Sequence, residues 1–283
     1  MKLPNIVVRI LAGAVFVGLL IAGMLLNQYT YLILFCLITA LSLKEFYGLV
    51  QNNAGVCLSK TLNIVGGILL VSSFFLYCSP FHNAIGFSIY LLYLIALFVC
   101  ELYQKRTEPL KSLAYAVLGQ MYIALPFALT SCLVFGRTED GAYSYVLLLA
   151  VFVFIWVNDS FAYLTGMAFG KHRLFERISP KKSWEGFFGG AIFAMASSYL
   201  FYLYTDLLSL SAWIGFALVV VIFGTWGDLV ESLMKRTLNV KDSGNTIPGH
   251  GGLLDRFDST ILAIPAAVVY LEIIDCISKY IIL

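Results

Sequence analysis

The sequence predicts an all-α, polytopic integral membrane protein with about nine transmembrane helices. Of the 283 residues, 60% are hydrophobic and only 12% are charged, and the mean hydropathy is +0.89. A soluble domain carries roughly 25% charged residues. The apolar runs are about 20 residues long and unbroken, whereas the strands of a membrane barrel would be about 10 residues long and would alternate strictly. This composition argues against a soluble protein and favours helices that span a bilayer.

The predicted spans follow one another along the whole chain. The first apolar run ends at about Leu26, and because no A-x-A-like cleavage site closes it, we expect a span there rather than a removable signal peptide. The nine spans are predicted at roughly 6–26, 29–50, 62–79, 84–103, 112–135, 143–165, 186–205, 211–234 and 258–281. We divide the chain into an N-terminal part, 1–140, with five spans, and a C-terminal catalytic half, 141–283, with four. Two long polar loops, 166–186 and 235–258, lie in the C-terminal half.

Basic residues mark one side of the membrane. Of the 18 Lys and Arg residues, 16 lie in or beside the N-terminus and the even-numbered connections, which leaves Arg137 and Lys279 for the other side. Because basic residues concentrate in cytoplasmic loops, we expect a cytoplasmic N-terminus, a periplasmic C-terminus and an inner-membrane location. Loops 166–186 and 235–258 are then cytoplasmic, and we expect the active site on that side.

Two glycine pairs predict close packing of helices. They are Gly166-x-x-x-Gly170 and Gly186-x-x-x-Gly190, which frame one of the polar loops. Small residues at this spacing let two helix backbones approach closely in a membrane. A ligand role stays open as the less favoured alternative.

An ionisable residue inside a membrane span costs free energy, so each one calls for a structural or functional explanation. Asp159 is the deepest of them, and polar side chains cluster around it at Asn158, Ser160, Tyr163 and Thr165. A buried structural hydrogen bond would explain Asp159. The polar neighbours favour a residue that lines a cavity.

Carboxylates also mark the ends of the eighth and ninth spans. Asp228, Glu231 and Lys235 are spaced i, i+3 and i+7, which places them on one helical face. Asp255 and Asp258 are again three residues apart. A solvated stripe at a helix end is the plain interpretation of the first group. The favoured one is two acidic helix ends that face one cytoplasmic pocket and share hard cations through oxygen ligands.

The glycine-rich loop between those two spans adds a second kind of signal. A glycine-rich segment that enters a helix can present backbone N–H groups to phosphate. The loop lacks the pattern GxxxxGK[ST], so an ordinary P-loop ATPase is disfavoured. Carboxylates, glycines and basic residues at one membrane face indicate phosphoryl or nucleotidyl transfer, in which metal and cationic groups neutralise developing charge. A transporter or channel that uses Asp159 and Asp228 is the alternative, although transporters place such acids more often near the midplane.

Three segments carry a resemblance to a known family. Residues 232–258 are the longest of them, and the other two are Asn158–Tyr163 and Ser179–Gly186. The most specific stretches of 232–258 read Lys241-Asp242-Ser243-Gly244 and Pro248-Gly249-His250-Gly251-Gly252-Leu253-Leu254-Asp255-Arg256-Phe257-Asp258. This segment resembles the signature of phosphatidate cytidylyltransferases and shows no departure from it. The N-terminal 140 residues match that family only as apolar helices.

The resemblance implies a reaction and a set of residues. The reaction is transfer of a cytidylyl group from CTP to phosphatidate, which gives CDP-diacylglycerol and pyrophosphate and requires Mg²⁺, with a second cation left open. Asp228 and Asp255 are the expected metal ligands. The expected catalytic residues are Asp228, Asp255, Lys241, Arg256 and His250. The expected substrate-binding residues are Lys235, Arg236, Asp242, Lys182, Ser183, Glu185 and Asp159.

Plainer roles stay open for several of these residues. Lys235 and Arg236 also fit positive-inside charge or contact with anionic lipid. Glu185 also fits a simple acidic residue at a helix N-terminus. His250 is expected to hydrogen-bond phosphate, since it lies between glycines of the loop.

The expected partners are CTP, phosphatidate of the inner leaflet and the lipid bilayer. We expect no nucleic acid, and a homodimer is left open. The nearest rival function is a sister cytidylyltransferase that acts on a different lipid phosphate, and the more distant rival is the transporter or channel.

Overall fold

The computed structural model describes the backbone of residues 5–136, 141–244, 246 and 251–281, and side chains from residue 11 to residue 279 within those ranges. The described chain is almost entirely helical, which confirms the predicted all-α class. Eight helices are long and apolar enough to cross a membrane, and the apolar segment Leu11–Leu26 adds a shorter one. The protein is therefore a multi-pass membrane protein with nine helical segments in the described part of the chain.

The helices lie close to the predicted spans. They are α1 (Asn5–Leu26), α2 (Gln28–Ala54), α3 (Lys60–Cys78), α4 (Ile85–Tyr103), α5 (Pro109–Gly119), α6 (Leu125–Phe135), α7 (Val146–Phe169), α8 (Trp184–Tyr204), α9 (Leu210–Thr237) and α10 (Leu254–Ile281). Helices α5 and α6 form one continuous segment through a π-helical turn at Gln120–Ala124. Two short strands, β1 (Arg173–Phe175) and β2 (Ser179–Ser183), pair antiparallel between α7 and α8.

Two features differ from the sequence expectations and affect the site. The loop 166–186 is shorter than expected, because α7 continues to Phe169, α8 begins at Trp184 and the hairpin fills most of the interval. Helix α10 begins at Leu254 instead of at 258. Asp255 and Asp258 therefore both lie inside the helix, and neither precedes it.

The chain forms two compact units. The first contains residues 1–145 and 237–257, and the second contains residues 146–236 and 258–283. Sequence reasoning grouped the loop 235–258 with the C-terminal helices, whereas by contacts 237–257 group with the N-terminal helices.

Aromatic packing builds the core of the first unit. Tyr31 and Phe35 are fully buried on α2, and the Tyr31 hydroxyl hydrogen-bonds the Thr130 hydroxyl at 2.5 Å. Phe257, at the end of the 237–257 segment, packs edge-on against Phe127 and Phe16 with ring centroids 5.4 and 5.7 Å away. Such pairs contribute about 0.5–1.5 kcal/mol beyond the area that they bury. The core thereby holds one end of the loop in place.

Small residues bring α7 and α8 of the second unit together. A Cβ atom on Gly186 would lie 2.7 Å from the Ala162 carbonyl oxygen. A Cβ atom on Gly190 would lie 2.4 Å from Asn158 Oδ1. Only glycine fits at these distances, so the pair Gly186 and Gly190 has the packing role that its spacing predicts.

Candidate active site

The loop 237–257 is held by a carboxylate that comes from α2. Glu45 Oε1 accepts hydrogen bonds from the Leu253 N–H at 2.9 Å and from the Thr246 hydroxyl. Glu45 Oε2 accepts from the Leu254 N–H at 2.9 Å and from the Ser243 hydroxyl at 3.3 Å. Sequence reasoning missed Glu45. The signal was present, because Glu45 is an acidic residue inside a predicted span.

Asp255 is bound by the same loop. Its Oδ2 accepts hydrogen bonds from the Ser243 N–H and the Gly252 N–H, both at 2.9 Å, and its Oδ1 accepts from the Ser243 N–H at 3.1 Å. In return, the Asp255 N–H donates to the Ser243 hydroxyl at 3.3 Å. Ser243 is only 3% exposed and links Asp255 to Glu45. The carboxylate of Asp255 is thus oriented by the loop and is not a free side chain in solvent.

These contacts change the expected role of the loop backbone. The sequence predicted that its N–H groups would present themselves to phosphate. In the structure, the N–H groups of Ser243, Gly252, Leu253 and Leu254 donate to carboxylates of this chain. The expectation was therefore wrong for these four groups. Charge on a substrate phosphate would have to be met by groups other than these four.

The loop glycines allow the carboxylates to come this close. A Cβ atom on Gly252 would lie 2.1 Å from Ser243 Oγ and 2.6 Å from Glu45 Oε2, and one on Gly244 would lie 2.9 Å from Glu45 Cδ. Gly251 has φ +84°, a conformation that side chains rarely adopt. The glycine content of the loop thus follows from its close approach to Glu45.

A cavity of about 580 Å³ opens beside Glu45 in the first unit. One face of α2 and the loop form its walls, with Leu41, Lys44, Glu45, Gly48, Leu49 and Asn52 from α2 and Val240, Lys241, Asp242, Ser243, Gly244 and Thr246 from the loop. Lys44 and Lys241 are both exposed. Because Glu45 and Asp242 line the same cavity, its two ammonium groups are matched by two carboxylates.

The remaining predicted residues of the loop lie at the surface or outside the described part. Asp242 and Arg256 are exposed, and Arg256 lies in the first turn of α10. His250 lies outside the described residues, so its expected contact with phosphate stays a prediction.

The second unit holds a separate cluster of carboxylates around Lys182. The Lys182 Nζ atom lies 2.6 Å from Asp228 Oδ2, and the Ser232 hydroxyl donates to Asp228 Oδ1 at 3.2 Å. Asp159 lies within electrostatic reach of both Lys182 and Asp228. Asp258 lies within reach of Asp228 and Asp159. The structure thus brings together Asp159, Lys182 and Asp228, which sequence reasoning selected from three separate segments.

Glu231 and Lys235 form a buried ion pair one turn beyond Asp228. The Lys235 Nζ atom lies 2.6 Å from Glu231 Oε2, with side-chain exposures of 14% and 2%. Lys235 is therefore not a plain solvated basic residue at a membrane surface. The neighbouring Arg236 is exposed.

Ser183 and Glu185 join the hairpin to α8. The Ser183 hydroxyl accepts from the Gly186 N–H at 3.1 Å and caps the helix. Glu185 lies in the first turn, where its Oε1 is 2.7 Å from His172 Nδ1 and 3.2 Å from the His172 N–H. These contacts match the plainer interpretation of Glu185 as an acidic residue at a helix N-terminus. The Glu185 contacts hold His172, which directly precedes β1, against the start of α8.

The donor atoms of the carboxylate cluster suit a hard divalent cation. Asp228 faces the ammonium of Lys182, and Asp258 lies within electrostatic reach of Asp228, Asp159 and Lys235. With Glu231 included, four carboxyl groups share the two ammonium groups of Lys182 and Lys235, so the cluster is rich in oxygen ligands. Among the described residues, no three His, Cys, Asp or Glu side chains converge on a complete metal site. Mg²⁺ commonly takes one or two protein carboxylates and completes its shell with water and substrate phosphate, so the residues fit Mg²⁺.

Comparisons with known proteins agree with this chemistry. A family model described as "Cytidylyltransferase family" matches residues 7–274. Three similar proteins are each named phosphatidate cytidylyltransferase. The one from Staphylococcus epidermidis is 39% identical over 158 residues, 55% of each chain. The one from Haemophilus influenzae is 42% identical over 133 residues, 45% of this chain and 46% of the relative. The one from Staphylococcus aureus is 38% identical over 154 residues, 54% and 56% of the two chains. The matched part thus spans about half the length of these relatives.

Proposed function

The chain belongs to the cytidylyltransferase family, and from this we propose that it transfers the cytidylyl group of CTP to phosphatidate, giving CDP-diacylglycerol and pyrophosphate. The resemblance in residues 232–258 is confirmed at the level of the family. One observation supports the proposed substrates most strongly, namely that relatives 38–42% identical are named for this reaction. Because the matches cover about half of those relatives, the substrates remain a proposal.

The reaction joins two anions. An oxygen of the phosphatidate phosphate forms a bond to the α-phosphorus of CTP, and the bond from that phosphorus to the bridging oxygen of the β-phosphate breaks. Pyrophosphate carries away the electron pair. Little covalent chemistry is required of the protein, whose task is to hold both anions in line and to screen their charge.

The basic residues on either side of the loop supply the screening. Lys241 and Arg256 are exposed in the first unit, where they would bind the triphosphate of CTP or the headgroup of phosphatidate. Lys235 and Arg236, at the end of α9, are proposed for the same anions. Lys235 would then bind while still paired with Glu231. Asp242, Ser183, Glu185 and His250 remain proposed contacts of the substrates or of their binding loops.

Asp228 and Asp255 are the proposed ligands of Mg²⁺, with Asp159 contributing to a second cation. When bound, Mg²⁺ supplies positive charge to the phosphate oxygens. The chain itself orients the ligands: Lys182 and Ser232 hold Asp228, and Ser243 and Gly252 hold Asp255.

The proposed location is the cytoplasmic face of a bacterial inner membrane. Sixteen of the 18 Lys and Arg residues lie in or beside segments that the sequence predicts on one side of the membrane, together with both polar loops. CTP is a cytosolic nucleotide, and phosphatidate would enter from the inner leaflet. The bacterial sources of these relatives support this location.

The test uses the intact protein, purified in detergent, with CTP labelled at the α-phosphorus. With phosphatidate and Mg²⁺ we expect the label to enter the lipid fraction, and chelation of Mg²⁺ to abolish the transfer. A panel of other lipid phosphates separates this function from that of a sister enzyme, since a clear preference for another lipid would contradict the proposed substrate. No transfer to any lipid, together with ion flux through reconstituted protein, would favour the transporter.

A further inference from the structure

We propose that Glu45 is a positioning residue, which holds Asp255 in its working orientation through Ser243 and through the first N–H groups of α10. The inference rests on the proposed function only for the role of Asp255. The contacts of Glu45 stand independently of the reaction. Glu45 lies in the N-terminal half, about 200 residues from its partners, and the family signature in 232–258 does not include it.

The start of α10 has no local capping residue. A helix leaves its first N–H groups without partners inside the helix, and a Ser, Thr, Asp or Asn at the N-cap normally accepts from one of them. Here the residue before the helix is Leu253, which has no side-chain acceptor. The Leu253 and Leu254 N–H groups donate instead to the two oxygens of Glu45, each at 2.9 Å. The negative charge also suits the positive end of the helix dipole.

The acceptor sites of the Glu45 carboxylate are occupied by donors of the protein. An ionised carboxylate has about four lone-pair sites. Four donors meet it here: two backbone N–H groups and the hydroxyls of Ser243 and Thr246. A carboxylate used in this way has no site left for a substrate or a cation. Its role is therefore to position other groups, in contrast to that of Asp228, which faces an ammonium group.

Hydrogen bonds through Ser243 connect Glu45 to Asp255. The Ser243 hydroxyl donates to Glu45 Oε2 at 3.3 Å and accepts from the Asp255 N–H at 3.3 Å, while the Ser243 N–H donates to the Asp255 carboxylate at 2.9 Å. Ser243 is thus fixed on one side by Glu45 and fixes Asp255 on the other. The loop glycines agree, since side chains at Gly244 or Gly252 would collide with Glu45.

The test combines a structural readout with a kinetic one. Glu45→Gln keeps the size of the side chain, removes its charge and replaces one acceptor atom by a donor. The matched control is Glu108→Gln in the same unit, because Glu108 is exposed and makes only a surface ion pair with Lys111. Both variants and the wild type are purified whole in detergent.

Hydrogen exchange of the amides at 251–257 gives the structural readout. We expect Glu45→Gln to exchange at least about tenfold faster there, and Glu108→Gln to exchange like the wild type. Circular dichroism should show the same helix content in all three proteins, because α10 keeps its apolar packing. Unchanged exchange at 251–257 in Glu45→Gln would overturn the anchoring, whether or not the wild type has the proposed activity.

Turnover gives the kinetic readout. Removing a residue that orients a metal ligand typically costs about 10–100-fold in activity or in metal affinity. We therefore expect Glu45→Gln to lower kcat per folded molecule, or to raise the Mg²⁺ concentration at half activation, by that factor, with KM for CTP changed less. Wild-type values for the folded fraction would mean that Glu45 only stabilises the fold, and would overturn the positioning role.

A second variant covers the case in which Glu45→Gln folds poorly. Ser243→Ala removes the hydroxyl between Glu45 and Asp255 but keeps the Ser243 N–H. We expect it to shift kcat or the Mg²⁺ midpoint in the same direction. The double variant should be little worse than the more impaired single variant, because coupled residues are not additive. Effects that multiply would show independent action and contradict the proposed path.

Discussion

At the scale of single residues, Glu45, Glu185 and Asp228 show two kinds of carboxylate environment. Glu45 and Glu185 accept hydrogen bonds from backbone and side-chain donors and hold segments together. Asp228 faces Lys182 and lies within electrostatic reach of Asp258 and Asp159. Several carboxyl groups that lie close together offer the oxygen ligands that a hard cation prefers.

The first prediction concerns Asp228 as a ligand of a cation. Asp228→Asn should lower turnover by at least about 10²–10³-fold, the loss common for one preorganised charge-stabilising group. The fold should persist, because asparagine keeps the size of the side chain and can still meet Ser232. Turnover with labelled CTP checks this, together with size-exclusion elution in detergent.

The matched control for Asp228→Asn is Asp206→Asn. Asp206 is an exposed carboxylate in the connection between α8 and α9 and makes no contact that the structure describes. It should keep wild-type turnover. Turnover of Asp228→Asn within about threefold of the wild type would rule out Asp228 as a ligand.

Sequence reasoning found much of the site but not all of it. Asp159, Lys182 and Asp228 were selected because acids are costly in spans and because family motifs contain them, and the structure brings them together. Glu45 was missed because its partners lie about 200 residues away, and helical spacing reports only neighbours on the same helix. The rule that marked Asp159 applied equally to Glu45, which lies in the predicted span 29–50. Glu101 lies in another predicted span, and its presence there is explained by a buried ion pair with Arg106, at 2.7 Å.

At the scale of elements, long apolar helices were predicted well and short polar elements were not. The first span was expected at 6–26 and observed at Asn5–Leu26, and the eighth at 211–234 and observed at Leu210–Thr237. The strands β1 and β2 read Arg-Leu-Phe and Ser-Pro-Lys-Lys-Ser, so they lack the apolar–polar alternation that reveals a half-buried strand. The start of α10 was placed late because no local capping residue marks it.

The second prediction concerns the packing of α7 against α8. Gly190→Ala should destabilise the protein by about 1–3 kcal/mol, the usual cost of overpacking, since its Cβ atom would lie 2.4 Å from Asn158 Oδ1. The thermal unfolding midpoint in detergent measures the change. Turnover of the folded fraction should fall less than in Asp228→Asn, because Gly190 is linked to Asp159 only through the Asn158 side chain.

Gly18→Ala is the control for that substitution. Gly18 lies in α1 and has nothing within 4 Å of the position of a Cβ atom. Its unfolding midpoint should match or slightly exceed that of the wild type, because alanine favours helix over glycine by up to about 1 kcal/mol. Equal midpoints for Gly190→Ala and Gly18→Ala would contradict the close approach of the two helices.

At the scale of the whole molecule, charge and apolar length together describe a multi-pass protein whose polar loops are expected on one side. Eight of its described helices can cross a bilayer by length and composition. The orientation of the termini and the homodimer left open by the sequence both stay predictions.

The third prediction tests the orientation. A reporter fused after Leu283 should be periplasmic, and one inserted near Asn245 should be cytoplasmic. The expectation follows from the concentration of Lys and Arg on one side. A periplasmic reporter near Asn245 would also contradict the proposed reaction, because cytosolic CTP would not reach residues 235–258, whereas a cytoplasmic reporter after Leu283 would contradict only the predicted orientation of the C-terminus.

The central claim is direct transfer between two bound anions, with the protein supplying position and charge. A covalent cytidylyl-enzyme would need a nucleophile with a base beside it, and no such pair is evident around Lys241 or among the contacts described for the loop 237–257. One measurement tests this most directly: exchange of labelled pyrophosphate into CTP by purified, lipid-free protein. Direct transfer predicts no exchange until phosphatidate is added, and then pyrophosphate and CDP-diacylglycerol in equal amounts. Exchange near the turnover rate without phosphatidate would contradict the account and make His250 the first residue to replace.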